Sequence, residues 1–188
     1  LTVNGKLAAT PVITNKALTR TQRGINFIPV TGNGGTGNLS YSISPALTNG
    51  LTLDISTGAL TGNVTGTLIP TIYTVTVSDS AKPIAHTANA TFNLTVNEIP
   101  SAVQNINAQI QNVGDTVDFT PVLGHHGTEP LSYSLSPKLP RILNINYTTG
   151  AIIGIATEAL NQTTYTMTIT DANGIKASNT FDLTVITP

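Results

Sequence analysis

Hydrophobic residues recur at every second position along much of this chain. Ile25, Phe27 and Pro29 form one such set, and Leu39, Tyr41 and Ile43 another. Tyr73, Val75 and Val77 follow, then Ala88, Ala90, Phe92, Leu94 and Val96. A period of two places alternate side chains on one face of a strand, so these runs predict half-buried β-strands. Thr and Ser fill most intervening positions, and Thr suits the solvent face of a sheet. No stretch carries helical periodicity, and Gly and Pro recur between the runs. Short strands with frequent turn signals predict an all-β sandwich.

The pattern also repeats. Residues 39–62 read LSYSISPALTNGLTLDISTGALTG, and residues 131–154 read LSYSLSPKLPRILNINYTTGAIIG. The offset is 92, without a gap, and half of the positions are identical. Phe27 and Pro29 pair with Phe119 and Pro121, and Tyr73 and Asp79 with Tyr165 and Asp171. The second copy is then three residues shorter, so Phe92, Leu94 and Val96 pair with Phe181, Leu183 and Val185. Repeats of this kind predict tandem modules. The expected division is one sandwich over 5–97 and a second over 98–188. The joint falls at Asn97-Glu98-Ile99-Pro100, where Pro removes a ladder donor and stiffens the linker. Leu1-Thr2-Val3-Asn4 repeats the string Leu94-Thr95-Val96-Asn97 that closes the first copy. Residues 1–4 are therefore expected to be the tail of a preceding repeat, in a row of at least three. Chance is the competing reading, since such strings are common in strands. The absence of an initial Met and of a signal peptide points the same way, to a segment of a longer chain.

Two turns read alike. Asp54-Ile55-Ser56-Thr57-Gly58 and Asn146-Tyr147-Thr148-Thr149-Gly150 each offer an Asp or Asn to cap the turn and a Gly for positive φ. Gly32 to Gly37 is expected to be a flexible loop between two strands, replaced in the second copy by Gly124 to Pro130.

Composition narrows the function. Charged residues are 9% of the chain, against about 25% in typical globular proteins, and the net charge is -1. Eight scattered cations make no basic stripe for nucleic acid and no docking patch for anionic lipid. No apolar run approaches the roughly 18 residues of a membrane span, so direct membrane insertion is not expected. Without Cys there are no disulfides, thiolate metal sites or cysteine nucleophiles.

From the Tyr41 strand to the Tyr73 strand the chain resembles the putative Ig and dystroglycan-type cadherin-like modules of long bacterial surface proteins. The residues that carry the likeness are Tyr41, Leu47, Gly50, Leu51, Thr57, Gly58, Gly62, Tyr73 and Asp79. The second copy supplies Tyr133, Leu139, Pro140, Leu143, Thr149, Gly150, Gly154, Tyr165 and Asp171, and departs at Ile142, where such modules usually have Gly. The resemblance implies tandem Ig-like or cadherin-like β-sandwich domains at an extracellular, bacterial cell-surface location. It implies a non-catalytic adhesin spacer or stalk, partnered by neighbouring repeats and by a host or matrix glycan or protein. The alternative is a module that recognises polysaccharide or protein, stabilised by calcium.

Cadherin-like modules bind calcium at their joints, which makes Asp79, Glu98 and Asp171 the metal candidates. Calcium takes about 6–8 oxygen ligands, several of them carboxylates. The joint lacks the acidic Asp-x-Asn-Asp-Asn-x-Pro string of cadherins, and the Leu-Asp-Arg-Glu element is absent from both copies. Turn closure through backbone N–H groups is thus the stronger reading of Asp79 and Asp171, and no other cofactor is expected. His125 and His126 lack accompanying ligands with zinc-like spacing and read as a solvated loop. Sugar sites commonly use an exposed aromatic platform. Eight of the nine aromatic residues pair through the repeat as core residues do, which leaves Tyr147 as the one unpaired ring and weakens a lectin reading. No nucleophile elbow, phosphate-cradling loop or His-x-x-x-His helix is present, so no enzyme is expected. The N-x-S/T sequons at Asn38, Asn63, Asn89, Asn93, Asn146 and Asn161 are what an Asn- and Thr-rich chain generates by chance.

Overall fold

The structure, a computed structural model, describes residues 4–188; the echo at Leu1, Thr2 and Val3 lies outside the described residues. Every regular element among them is a strand, and no helix is long and apolar enough to cross a membrane. The chain divides into two compact units, Leu1–Asn97 and Glu98–Pro188.

Unit 1 holds β1 (Ala8–Pro11), β2 (Asn15–Thr19), β3 (Ile25–Phe27), β4 (Val30–Asn33), β5 (Ser40–Ser44), β6 (Leu51–Leu53), β7 (Leu60–Gly62), β8 (Leu68–Ser78) and β9 (Thr87–Asn97). Its four-stranded sheet runs β2-β9-β8-β5 and its three-stranded sheet β3-β7-β6, with β1 and β4 paired separately. Unit 2 repeats this with β10 (Ser101–Gln104), β11 (Ala108–Asn112), β12 (Thr116–Phe119), β13 (Val122–His125), β14 (Ser132–Ser136), β15 (Leu143–Ile145), β16 (Ile152–Ile155), β17 (Leu160–Thr170) and β18 (Lys176–Ile186). The sheets are β11-β18-β17-β14, β12-β16-β15 and β10-β13. In each unit one pair is parallel, β2 with β9 and β11 with β18. Each long hairpin carries a register shift at the same place, between Leu68 and Thr71 and between Leu160 and Thr163.

The alternation read from the sequence decides which faces are buried. Tyr73, Val75 and Val77 of β8 and Phe92, Leu94 and Val96 of β9 point inward with Ile25, Leu51 and Leu60 from the facing sheet. Tyr73 stacks on Phe92 at 5.7 Å, and Phe27 meets Phe92 edge-on at 6.5 Å. Tyr165, Phe181 and Phe119 repeat the cluster at 5.5 and 6.0 Å. Each such buried side chain contributes about 1.5–3 kcal/mol of transfer free energy. Burial also pushes the hydroxyl pKa of Tyr73 and Tyr165 upward.

Two local expectations are corrected. Gly32 and Asn33 do not belong to the glycine loop; they form the end of β4, paired with Ala9 and Ala8. A Cβ on Gly32 would stand 2.5 Å from Val77 and 2.9 Å from Leu39, so glycine lets β4 close onto the core. Its N–H donates to the Tyr41 hydroxyl at 3.1 Å, as Gly124 does to Tyr133 at 3.1 Å. Pro29 lies between β3 and β4 rather than within a strand, and its carbonyl accepts the N–H groups of Val12 and Ile13.

The two capped turns form as read. Asp54 Oδ1 accepts the N–H of Ser56 and Thr57, and Asn146 Oδ1 accepts those of Thr148 and Thr149. Gly58 and Gly150 both adopt φ 74. A Cβ at either would meet the ring of Tyr41 or Tyr133 within 2.8 Å, so the closing glycine seats the turn on an aromatic face.

Candidate functional site

Each unit carries a buried carboxylate just after its long central strand, aimed at the loop that follows β4 or β13. Asp79 Oδ2 accepts the Thr36 N–H at 2.9 Å, and its Oδ1 accepts those of Ala81 and His86 at 3.2 and 2.7 Å. Asp171 Oδ2 accepts the Thr128 N–H at 3.1 Å, and its Oδ1 accepts those of Asn173 and Ile175, both at 2.9 Å. A side-chain oxygen bonded to nearby N–H groups replaces the ladder that a turn cannot make. The segment leading into β1 or β10 is pinned to the same loop. Gly35 N–H donates to Gly5 O at 2.8 Å, and Gly127 N–H donates to Glu98 O at 3.1 Å.

The hairpin beyond this aspartate is longer in unit 1, and the extra length brings in His86. Its Nδ1 lies 3.1 Å from Asp79 Oδ2 while the ring stays 69% exposed. The His86 N–H, ahead of the His86 ring and the N–H groups of Thr36 and Ala81, holds the Asp79 carboxyl well below the usual carboxylate range. The sequence offers one hint of this partnership, the three-residue difference between copies. An Asp–His pair is also the positioning half of a hydrolytic triad. Here the neighbouring Ser80 hydroxyl donates to the Thr36 carbonyl at 3.1 Å instead. A cleft of about 390 Å3 adjoins the pair, lined by Asn4, Lys6, Thr36, Asp79 and His86 among others.

Of the three metal candidates, Asp79 and Asp171 are buried and occupied by N–H donors, and Glu98 is exposed where unit 2 begins. Among the described residues no group of three or more His, Cys, Asp or Glu could hold a metal ion. His125 ends β13 and His126 follows at φ 60; both are exposed, with ring centroids 6.5 Å apart.

A larger cleft, of about 580 Å3, opens along one side of unit 2 between β14 and β15. These are the outer strands of its two main sheets. Lys138, Arg141, Ile142 and Tyr147 stand around it, all exposed, Tyr147 at 66% and Ile142 at 58%. Ile142 adopts φ 75, whereas unit 1 has Gly50 at φ 81 in the equivalent place. A β-branched residue is a genuine outlier there, at a cost of order 1–3 kcal/mol. The sequence shows Ile142 as a departure and Tyr147 as unpaired, and gives no reason to join them.

Residues 100–186 match the family described as Putative Ig domain. No curated protein matches the chain. Among solved structures, extracellular domains 3-5 of Drosophila OTK align over 97% of this chain and 62% of theirs, at 16% identity and TM-score 0.49. An I-band fragment of titin aligns over 95% and 64%, at 12% identity and TM-score 0.48. A protocadherin gamma-B7 cis-dimer structure aligns over 97% and 52%, at 16% identity and TM-score 0.42. The chain thus spans about half the length of that protocadherin chain. By strand order and core this chain is a tandem pair of β-sandwich units of one topology, the second of which matches the Putative Ig domain family over residues 100–186.

Proposed function

We propose that the two units are consecutive spacer modules of a bacterial cell-surface or secreted adhesin and act without catalysis. One observation carries this reading: what the units share is framework. The paired aromatics, the turn glycines and the buried Asp79 and Asp171 recur. Their surface charges do not, with five Lys and Arg against two Asp and Glu in residues 1–97 and three against seven in residues 98–188. Repetition of fold without repetition of a site is what an array of spacers requires. The bond from Gly35 to Gly5 matches the bond from Gly127 to Glu98. That match supports residues 1–4 as the tail of a preceding repeat, and domain limits of 5–97 and 98–188. Small-angle scattering on chains of two, three and four modules tests the spacer role. The maximum dimension should rise by a constant increment per module; a plateau would overturn it.

Calcium is tested on the same material. Because N–H groups already occupy the Asp79 and Asp171 oxygens, millimolar calcium should leave the melting temperature unchanged. A rise abolished by substituting Asp79, Glu98 or Asp171 would assign them as ligands and favour the calcium-stabilised reading.

A further inference from the structure

We propose that the cleft between β14 and β15 of unit 2 binds an acidic carbohydrate, a chain of carboxylated sugars. This goes beyond the spacer role and does not depend on it.

The comparison with unit 1 isolates the site. Both units build the same edge, from β5 to β6 and from β14 to β15, through a segment of equal length. Among the positions that differ along that edge, four are exposed changes of chemical character. Ala46, Asn49, Gly50 and Ile55 of unit 1 are replaced by Lys138, Arg141, Ile142 and Tyr147 of unit 2. Every one of these changes adds ligand-binding capacity: two cations, an apolar side chain and an aromatic ring.

Charge gives the sign of the occupant. Residues 98–188 hold seven Asp and Glu but only Lys138, Arg141 and Lys176 as cations. Two of those three cations line one cleft, and no acidic residue lines it. A guanidinium and an ammonium lining one cleft favour a carboxylate, which Arg can grip with two N–H donors.

Shape gives the class. The cleft lies within the volume range of small-ligand sites. Tyr147 supplies a flat apolar ring with a polar tip, the surface on which one face of a pyranose can lie. Asn144 and Ser134 also line the cleft and offer an amide and a hydroxyl to sugar hydroxyls. An acidic peptide added as an extra strand fits less well, because β15 is three residues long and offers few ladder bonds. Ile142 completes the case. It is exposed in a backbone conformation that glycine would adopt without strain, so it gives the fold neither burial nor ease. Its side chain is accounted for as a contact for something outside the chain.

The test is calorimetric titration of the whole chain with oligogalacturonate, neutral galacto-oligosaccharide and poly-glutamate at physiological salt. Variants Arg141→Asn and Tyr147→Ile install residues that unit 1 carries on the same backbone, and melting curves confirm that they fold. Oligogalacturonate should bind and neutral sugar should not. Each variant should weaken binding at least tenfold, with amide shifts in NMR confined to residues 134–147. Absence of oligogalacturonate binding, or equal affinity in folded variants, would overturn the site. Tighter binding of poly-glutamate would overturn the carbohydrate assignment and mark an acidic-peptide surface.

Discussion

In unit 1, Asp79 gathers three N–H donors and an imidazole around one carboxylate; in unit 2, Asp171 closes its shorter hairpin with backbone donors. At the opposite extreme, unit 1 turns its β5–β6 connection with Gly50, and unit 2 forces Ile142 into nearly the same conformation. The units therefore differ in two ways. The first leaves the framework intact and changes how a group shared by both units is satisfied. The second opposes the framework and adds exposed chemistry. The second sets a residue against the framework at a stability cost, and that cost is what supports the site proposed for the cleft.

The comparison is broken most severely where the units are the same. Gly62 and Gly154 have φ 139 and 138, and a Cβ at either would stand 2.1 Å from the carbonyl oxygen of Gly50 or Ile142. Backbone cannot yield as a flexible side chain can. Gly62→Ala and Gly154→Ala should each destabilise their own unit by about 3 kcal/mol or more. Residue-resolved native-state hydrogen exchange separates the two units. A loss below about 1 kcal/mol in either would show that this crossing of strands is not the fixed point of the fold.

Ile142→Gly makes unit 2 resemble unit 1. Relief of the positive φ outweighs the unfolded-state entropy that glycine adds, so unit 2 should gain about 1 kcal/mol. Destabilisation measured by the same exchange experiment would mean that Ile142 packs usefully, and the strain argument for the cleft would fall.

A smaller asymmetry lies on β9 and β18. Asp182 accepts the Thr164 hydroxyl at 2.6 Å and the Gln162 amide at 2.7 Å. Those contacts, the hydroxyl first, draw its pKa down. Asn93 holds the matching place, but its cross-strand neighbour is Ile72, and its Oδ1 is buried without a partner. Ile72→Thr supplies the hydroxyl that unit 2 already uses. Unit 1 should gain about 0.5–1.5 kcal/mol, read as slower exchange across β8 and β9. No gain in Ile72→Thr would indicate that water already satisfies Asn93.

How far the sequence foretells these features depends on the length scale of each. Period-two alternation identifies the inward residues of β8, β9, β17 and β18, because strand geometry is local. The repeat adds Phe27 and Phe119 as core residues, while their edge-on contacts with Phe92 and Phe181 are seen only in the fold. The sequence does not assign Gly32 to β4, because a strand glycine has no propensity to announce it; only the approach of Val77 and Leu39 explains it. His86 was missed because its partner is set by the length of a hairpin, not by a motif. The cleft was out of reach for a different reason. Its exposed residues lie in the loop between β14 and β15 and in the turn after β15, and only the placement of those two strands on facing sheets opens a cleft among them.

The smallest expected effect concerns the turns that look most alike. Asp54 and Asn146 cap with the same oxygen and the same pattern of bonds, but only Asp54 titrates. The Ser56 hydroxyl, then the N–H groups of Ser56 and Thr57, lower its pKa from 3.8 to about 2. A depressed carboxylate stabilises the fold above its unfolded pKa and loses that contribution as pH falls through the folded one. Unit 1 should therefore weaken slightly as pH drops from about 4 to about 2, at a turn where unit 2 is insensitive. The Asp54 carboxyl carbon, followed by NMR, should titrate with a midpoint near 2. Asn146→Asp should give unit 2 the same acid-sensitive turn, with its bonds to Thr148 and Thr149 standing in for those to Ser56 and Thr57. If the new Asp at this position titrates near its ordinary 3.8 instead, the likeness of the two turns is one of shape alone.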